Sequence, residues 1–272
     1  MSDAPIGVFD SGVGGLTVLR ALLQELPAER FVYLGDTARL PYGTKSAETV
    51  AHYAVQAAEA LVDHGVKCIV VACNTASAMG LPCIRERFES LPVSGVIEPG
   101  AQAACEASRS GRIAVIGTEG TIREGAYQEA VRRRRSDARV TAIPAQLFVA
   151  LAEEGLTEGP IAESVARHYL EAVFTDSGPG SRPDTLVLGC THFPMLTASI
   201  REVAGEGVTI VDSARTTAQH MRAHLASRNL LSRAAQGEVR FLATDGPDRF
   251  ARVGSRFLGR AVTPGEVELI NL

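Results

Sequence analysis

Two cysteines in matching settings are the residues of this chain best suited to chemistry. Cys73 follows the apolar run CIVVA, and Cys190, 117 positions later, follows the run TLVLG. Each pattern is typical of a buried strand that ends at a thiol. A pair of such thiols predicts chemistry carried out from opposite faces of one substrate.

Inversion of a stereocentre is a reaction that needs two opposed groups. One group removes the α-proton of an amino acid, and the other returns a proton to the opposite face. A thiol has an ordinary pKa of about 8.5, which falls at a helix N-terminus, so thiol and thiolate can coexist near neutral pH. Helices that begin after Cys73 and Cys190 are expected to supply that positive potential, and backbone N–H groups for substrate carboxylates.

The elements that must position these thiols appear as short apolar runs between helical patterns. Strands that alternate with helices predict an α/β fold of mostly parallel sheets flanked by helices. Pro160 is well placed as the first residue of one helix. The apolar runs cover residues 6–9, 30–34, 68–72, 93–97, 113–116, 140–143, 186–188, 208–211 and 239–242. The helical stripes are Leu16, Leu19, Leu22, Leu23 and Leu26; Val50, Tyr53, Ala54, Ala57 and Leu61; and Ile161, Val165, Tyr169, Ala172 and Val173.

Polar residues follow most of the apolar runs. Ligands of open α/β sheets bind beyond the carboxyl ends of the strands, so these residues indicate a small-molecule site. The alternative is that they cap the following helices. Capping accounts for Asp212 with Ser213 and can account for Asp36 with Thr37, but cysteine is a poor cap and stands in this position twice.

The two cysteine runs look like counterparts in two similar lobes, with the active site in the cleft between them. We predict a first α/β lobe of residues 1–97 and 210–272, which carries Cys73. The second α/β lobe is predicted to cover residues 98–209 and carries Cys190.

Composition excludes several classes of protein. The 272 residues are 46% apolar and 21% charged with a net charge of −4, which favours a globular protein and not a nucleic-acid binder. The basic cluster 132–135 is interpreted as a solvated helix end. No apolar run exceeds six residues, and neither a membrane span nor a secretory signal is visible. Five unclustered cysteines indicate free thiols in a reducing cytoplasm.

Other motifs have plainer interpretations. DSGVGG lacks the spacing of a phosphate loop, and its glycines more simply let backbone approach a carboxylate. His220 and His224 have a spacing that can bind zinc, but no third ligand is evident, so a helix surface is predicted. The remaining cysteines, Cys68, Cys83 and Cys105, are predicted to be packing residues.

Several segments together resemble bacterial glutamate racemases. They are GVFDSGVGGLTV, YLGDTARLPYG, ACNTASA, GVIEPGA, EEGLTEGPIAE and LGCTHFP, in that order, and the resemblance extends to the closing VELINL. Aspartate racemases of the same fold typically carry Glu at the position of His192, so the match is nearer the glutamate branch. The resemblance implies a cofactor-independent interconversion of L- and D-glutamate that supplies D-glutamate for peptidoglycan. It implies no nicotinamide, pyridoxal or metal, and family members are commonly homodimers.

The resemblance also implies roles for particular residues. Cys73 would act on the α-proton of D-glutamate, with Asp10 as its auxiliary group. Cys190 would act on that of L-glutamate, with His192 and Glu153 beside it. Weaker candidates for substrate contact are Thr118 and Thr121. The substrate contacts are expected at Asp10, Ser11, Tyr42, Gly43, Asn74, Thr75, Thr191 and His192.

This chain departs from the family pattern at two places near the second lobe's cleft. Ala145 and Gln146 stand where Cys-Pro is common, and Glu124 stands where Ser is common. These departures bear on the geometry around Glu153 and Thr121 and leave the reaction itself unchanged.

Two alternative functions stay open from the sequence alone. The same fold and thiols could act on aspartate, a hydantoin or a maleate-type diacid. A thiol-based redox or ligand sensor without turnover is the other alternative, and it predicts a reversible disulfide between Cys73 and Cys190. A racemase requires these two thiols to stay apart, with room for substrate between them.

Overall fold

The structure is a computed structural model that describes residues 3–174, 181–234 and 237–272. Within these residues ten strands form two parallel sheets, which confirms the predicted α/β class. The strands are β1 (Ile6–Asp10), β2 (Phe31–Gly35), β3 (Cys68–Val71), β4 (Val93–Gly95), β5 (Arg112–Gly117), β6 (Arg139–Pro144), β7 (Thr185–Gly189), β8 (Thr209–Asp212), β9 (Val239–Ala243) and β10 (Val267–Leu269). The α-helices are α1 (Leu16–Glu25), α2 (Ala47–Asp63), α3 (Asn74–Met79), α4 (Leu81–Arg87), α5 (Ile97–Ala107), α6 (Glu119–Arg123), α7 (Ala126–Arg134), α8 (Leu147–Glu154), α9 (Pro160–Phe174), α10 (Thr197–Ala204), α11 (Ser213–Ser227) and α12 (Pro247–Leu258). Short 3-10 helices cover Tyr42–Thr44, Phe193–Leu196 and Pro264–Glu266.

The first sheet has six strands among the described residues, in the order β10-β9-β2-β1-β3-β4. Every residue of β1, β2 and β3 is buried. Alternate residues of β1 belong to different apolar clusters, Val8 to one and Phe9 to the other. Because helices cover both faces, these strands are continuous apolar runs and were visible in the sequence.

The second sheet has four strands among the described residues, in the order β6-β5-β7-β8. Strand β8 pairs in parallel with β7, and Thr185 lies opposite Thr209. The predicted lobe boundary between residues 209 and 210 therefore falls inside a strand of this sheet. The division into two lobes stays a prediction, and a boundary that follows the sheets lies after residue 212.

The helical stripes are confirmed with one displacement. α1 and α2 bury the predicted residues Leu16, Leu22, Val50 and Leu61. On α9, which begins at Pro160 as predicted, Val165, Tyr169 and Val173 are partly buried against the core, but Ile161 is 56% exposed and the fully buried residues lie one position further along. Alanines contribute little to an apolar pattern but allow α10 to pack closely against α9. The buried residues of α9 are Ala162, Ala166, Leu170 and Phe174.

Other expectations have mixed outcomes. Cys68 is buried as a packing residue, but Cys83 is exposed on α4, so a packing role is wrong there. Arg133 and Arg134 lie at the end of α7 and pair with Glu98, as a solvated helix end should. No helix among the described residues is long and apolar enough to cross a membrane.

Candidate active site

One narrow cavity of about 50 Å³ contains both thiols. Cys73 comes from the carboxyl end of β3 in the first sheet, and Cys190 from the carboxyl end of β7 in the second. All the predicted site residues except Asp10 line this cavity, as does Thr118. The predicted residues in the lining are Ser11, Tyr42, Gly43, Cys73, Asn74, Thr75, Glu153, Cys190, Thr191 and His192.

Cys73 is held by its own helix. It is the N-cap residue of α3, and its sulfur accepts a hydrogen bond from the backbone N–H of Ala76 at 3.4 Å. The thiol donates to the hydroxyl of Ser11 at 3.5 Å and is 5% exposed. Cysteine therefore does act as a cap here, contrary to the expectation from its low capping preference.

Asp10 lies behind Cys73 at the end of β1. Its Oδ2 accepts a 3.0 Å hydrogen bond from the N–H of Gly12, and its Oδ1 has no hydrogen-bond partner among the described residues. Burial raises the pKa of the Cys73 thiol to about 12, and the charge of Asp10 acts in the same direction. Burial also raises the pKa of Asp10. The expected fall in the pKa of Cys73 is wrong, because burial outweighs the N-terminus of a six-residue helix.

The segment after Cys190 is a tight turn and not an α-helix. Phe193 N–H donates to the carbonyl of Cys190 at 3.2 Å, which begins a 3-10 helix, and α10 starts only at Thr197. The predicted α-helix directly after Cys190 is therefore wrong, since a short 3-10 helix with Pro194 as its second residue precedes α10. The turn is anchored by Thr17, whose hydroxyl donates to the carbonyl of Thr191 at 2.9 Å.

His192 and Glu153 form the polar side of the Cys190 site. His192 Nδ1 lies 3.8 Å from Cys190 Sγ, and His192 Nε2 lies 3.1 Å from Glu153 Oε1. Burial alone lowers the pKa of His192, but hydrogen bonds to Cys190 and Glu153 raise it to about 10. The hydrogen bond from His192 lowers the pKa of Glu153, as does the charge of Arg249, whose Nη2 lies 2.6 Å from Oε2. At neutral pH the pair is therefore a charged imidazolium and carboxylate.

Asp36 fixes the segment that carries Tyr42. Its fully buried carboxylate accepts hydrogen bonds from the Tyr42 hydroxyl, from Arg39 Nε at 2.6 Å and from the Thr244 hydroxyl at 2.9 Å. Capping was the wrong interpretation of Asp36. Capping is confirmed for Asp212, whose carboxylate accepts from the N–H of Ala214 at 2.8 Å.

Three threonine hydroxyls close one end of the cavity. Thr75 lies 2.9 Å from Thr118 and 3.1 Å from Thr121, and the latter two are 3.0 Å apart. Thr75 belongs to α3, after a strand of the first sheet, whereas the other two follow β5 of the second. Thr121 is 1% exposed and supports the other hydroxyls from behind.

Two close backbone approaches require glycine. A Cβ added to Gly14 would lie 2.4 Å from both His192 Cε1 and Thr191 Oγ1. A Cβ added to Gly120 would lie 2.7 Å from the carbonyl oxygen of Gly43. The first contact lets the DSGVGG loop lie against the Cys190 turn, and the second joins the Tyr42–Thr44 helix to α6.

Some lining residues had no signal in the sequence. Leu40, Pro41 and Val149 reach the cavity only through the folding of their segments, whereas Gly12 belongs to DSGVGG, whose glycines were expected to approach a carboxylate. Gln146, one of the departures from the family pattern, also lines the cavity, and its Oε1 accepts from the N–H of Glu119 at 3.5 Å. The other departures do not line it: Ala145 is buried, and Glu124 lies near Arg123 on α6.

Neither a disulfide nor a cluster of metal-binding side chains occurs among the described residues. All five cysteines lie among the described residues and are free thiols. Among those residues no group of three or more His, Cys, Asp or Glu side chains could hold a metal ion. His220 and His224 stack on each other on α11, with ring centroids 6.0 Å apart.

Comparisons with known proteins agree with the resemblance. The family model described as Asp/Glu/Hydantoin racemase matches residues 6–221. The chain is 48% identical to a glutamate racemase of Geobacter metallireducens, over 98% of this chain and 96% of the relative. The glutamate racemase of Francisella tularensis in complex with D-glutamate has a TM-score of 0.90 at 36% identity, covering 99% of this chain and 98% of that one. The enzyme of Thermus thermophilus in complex with beta-chloro-D-alanine has a TM-score of 0.88 at 44% identity, covering 100% and 98%.

Proposed function

Because this chain belongs to the Asp/Glu/hydantoin racemase family, we propose that it acts as a glutamate racemase, an isomerase that interconverts L-glutamate and D-glutamate. The observation that carries the proposal is the presence of Cys73 and Cys190 in one cavity, each from a different sheet. The high identity to glutamate racemases over the full length supports glutamate as the substrate.

The charges around the two thiols support an assignment of base and acid. A positive His192 lies 3.8 Å from Cys190 Sγ, and we assign to Cys190 the role of the base that removes the α-proton of L-glutamate. Cys73, whose pKa is raised to about 12, holds its proton and donates it to the opposite face of the α-carbon. D-glutamate then leaves with Cys190 as thiol and Cys73 as thiolate. The reverse reaction exchanges the two roles, with Asp10 beside Cys73 and Glu153 behind His192.

Polar groups around the cavity fit an amino acid with two carboxylates. The N-terminus of α3 offers backbone N–H groups at Asn74 and Thr75, and the side chains of Ser11 and Thr191 offer hydroxyls. Tyr42, Gly43 and His192 complete the proposed contacts. Both proton transfers are carried out by protein side chains, so the reaction has no step that calls for a cofactor.

The cellular role follows from the product. We propose that the enzyme supplies D-glutamate for peptidoglycan synthesis in the cytoplasm and that it works as a homodimer. Size measurement in solution, with and without glutamate, tests the dimer.

Exchange in D₂O tests the reaction. Purified protein with L-glutamate should lose optical activity and place deuterium at Cα without added cofactor. Cys73→Ser and Cys190→Ser should each reduce turnover by about 10²–10⁴-fold, since each removes an acid–base group. Cys83→Ser, which removes an exposed thiol on α4, is the matched control and should have no effect. Exchange with aspartate but not glutamate would overturn the substrate, and full activity of both single variants would overturn the mechanism.

A further inference from the structure

Asn74 presents an unusual amide at the cavity. The side chain is 3% exposed, and Oδ1 accepts a 2.7 Å hydrogen bond from the hydroxyl of Tyr127. Its Nδ2 is buried and has no hydrogen-bond partner among the described residues. An amide nitrogen carries two N–H donors, and buried donors are rarely left unpaired. These donors therefore point to an acceptor that the described residues do not supply.

Tyr127 is rigidly held and packs with the second sheet, whereas Asn74 follows a strand of the first sheet. It lies on α7, is fully buried, and packs so tightly that a Cβ on Gly189 would lie 3.0 Å from its ring. A Cβ on Gly100 would lie 3.3 Å from the same ring. The ring can neither swing away nor reach solvent, so the position of its hydroxyl is fixed.

The Tyr127 hydroxyl is the donor in its hydrogen bond with Asn74, because the amide oxygen Oδ1 can only accept. Burial raises the pKa of Tyr127, so the phenol keeps its proton at all ordinary pH values. The neighbouring Ser213 hydroxyl donates to the carbonyl of Leu188 at 3.1 Å. The Tyr127 hydroxyl donates its proton to Asn74 Oδ1. This hydrogen bond fixes which end of the amide is the oxygen, so Nδ2 occupies the other end.

We propose that Tyr127 is a positioning residue that orients the Asn74 amide so that its N–H groups bind a carboxylate of the substrate. This inference rests on the proposed function, since it takes a dicarboxylic amino acid as the ligand. A carboxylate is acceptor-only and satisfies both amide donors, whereas a rotated amide presents its own oxygen and repels the same carboxylate. Tyr127, which packs with the second sheet, thereby fixes the orientation of a side chain that follows a strand of the first sheet.

The test is a double-mutant cycle on Tyr127 and Asn74. Tyr127→Phe removes only the hydroxyl and should raise KM for both enantiomers of glutamate by about tenfold, the effect of one hydrogen bond to a charged group. kcat should change by less than about threefold, because neither proton transfer is affected. In an Asn74→Ala background the Phe substitution should have no further effect on KM, because the amide it orients is absent.

Controls separate orientation from general stability. Tyr169→Phe, which removes a partly buried hydroxyl that accepts from the N–H of Leu147 at 3.2 Å, should leave KM unchanged. An unchanged KM in Tyr127→Phe overturns the inference. Equal effects of that substitution with and without Asn74 also overturn it, since they indicate a structural role. Failure of the wild-type protein to racemise glutamate instead rejects the proposed function, and the wild-type assay shows this independently of the variants.

Discussion

His192 and Glu153 are joined by a 3.1 Å contact that sets the charge on the Cys190 side of the cavity. Cys73 lies on the opposite side, beside Ser11 and in front of the carboxyl group of Asp10. The two thiols therefore have different surroundings although they perform equivalent steps. Cys190 has a cationic neighbour, whereas Cys73 lies near a carboxyl group, and the two cysteines are equally buried.

The His192 proton makes stability depend on pH. The pKa of His192 is about 10 in the folded protein, whereas a histidine in the unfolded chain has a pKa near 6.5. The stabilisation is complete below about pH 6.5 and is lost as pH rises through about 10, because the folded state binds the proton more tightly. We expect Tm to fall across this range and to fall less in His192→Asn. Parallel Tm curves for the two proteins would contradict this.

Arg249→Gln tests the outer partner of Glu153. Loss of the 2.6 Å ion pair should raise the pKa of Glu153. As pH is lowered, kcat/KM of the variant should therefore begin to fall at a higher pH than kcat/KM of the wild-type protein. At pH 8 the loss should be less than about tenfold, because the Arg249 side chain is 51% exposed and such pairs contribute at most about 1 kcal/mol. Arg252→Gln, an exposed residue of the same helix, is the control. An acid limb that stays in place in Arg249→Gln would count against a role for this arginine.

Gly14→Ala tests the close approach of the DSGVGG loop to the Cys190 turn. The new Cβ would meet His192 Cε1 at 2.4 Å and must displace the imidazole or the loop. We expect activity to fall by at least about 10²-fold, the usual effect of a shift of about 1 Å in a catalytic group. Circular dichroism should show a retained fold. Gly207→Ala, where no atom lies within 4 Å of the added Cβ, should be fully active.

The buried pair of Lys67 and Glu29 is a test of stability alone. Lys67 Nζ lies 2.5 Å from Glu29 Oε2, and the two side chains are 4% and 2% exposed. Lys67→Met should lower the free energy of unfolding by about 3–5 kcal/mol, because it leaves a carboxylate buried without its partner. Urea denaturation measures the change. Arg87→Met, which removes an exposed pair with Glu59, should cost no more than about 1 kcal/mol.

Local sequence patterns were sufficient for nine of the ten described strands and for the thiols. Strands such as β1 and β3 are continuous apolar runs because both faces are covered, and each thiol follows such a run directly. β10 was missed because only Val267 of its three residues is buried. The segment after Cys190 was predicted as an α-helix, but it is a 3-10 helix, and the sequence pattern does not distinguish the two in so short a segment.

Contacts between distant segments could not be predicted. Arg249 is 96 positions from Glu153, and Tyr127 is 53 positions from Asn74. Neither arginine nor tyrosine has a local pattern that identifies its partner, since each partner is set by how helices pack on two sheets. The family resemblance selected Glu153 and Asn74 but gave no information on what holds them.

The deep burial of Cys73 and Cys190, each 5% exposed, has a consequence for successive turnovers. Under the proposed mechanism, an enzyme molecule that has just released D-glutamate has Cys190 as thiol and Cys73 as thiolate. In this state it can convert only D-glutamate. Before the enzyme can convert another molecule of L-glutamate, Cys190 must lose a proton and Cys73 must gain one by exchange with water, which has little access to either residue. We therefore expect this exchange of protons, and not the breaking of the carbon–hydrogen bond, to limit turnover at saturating substrate.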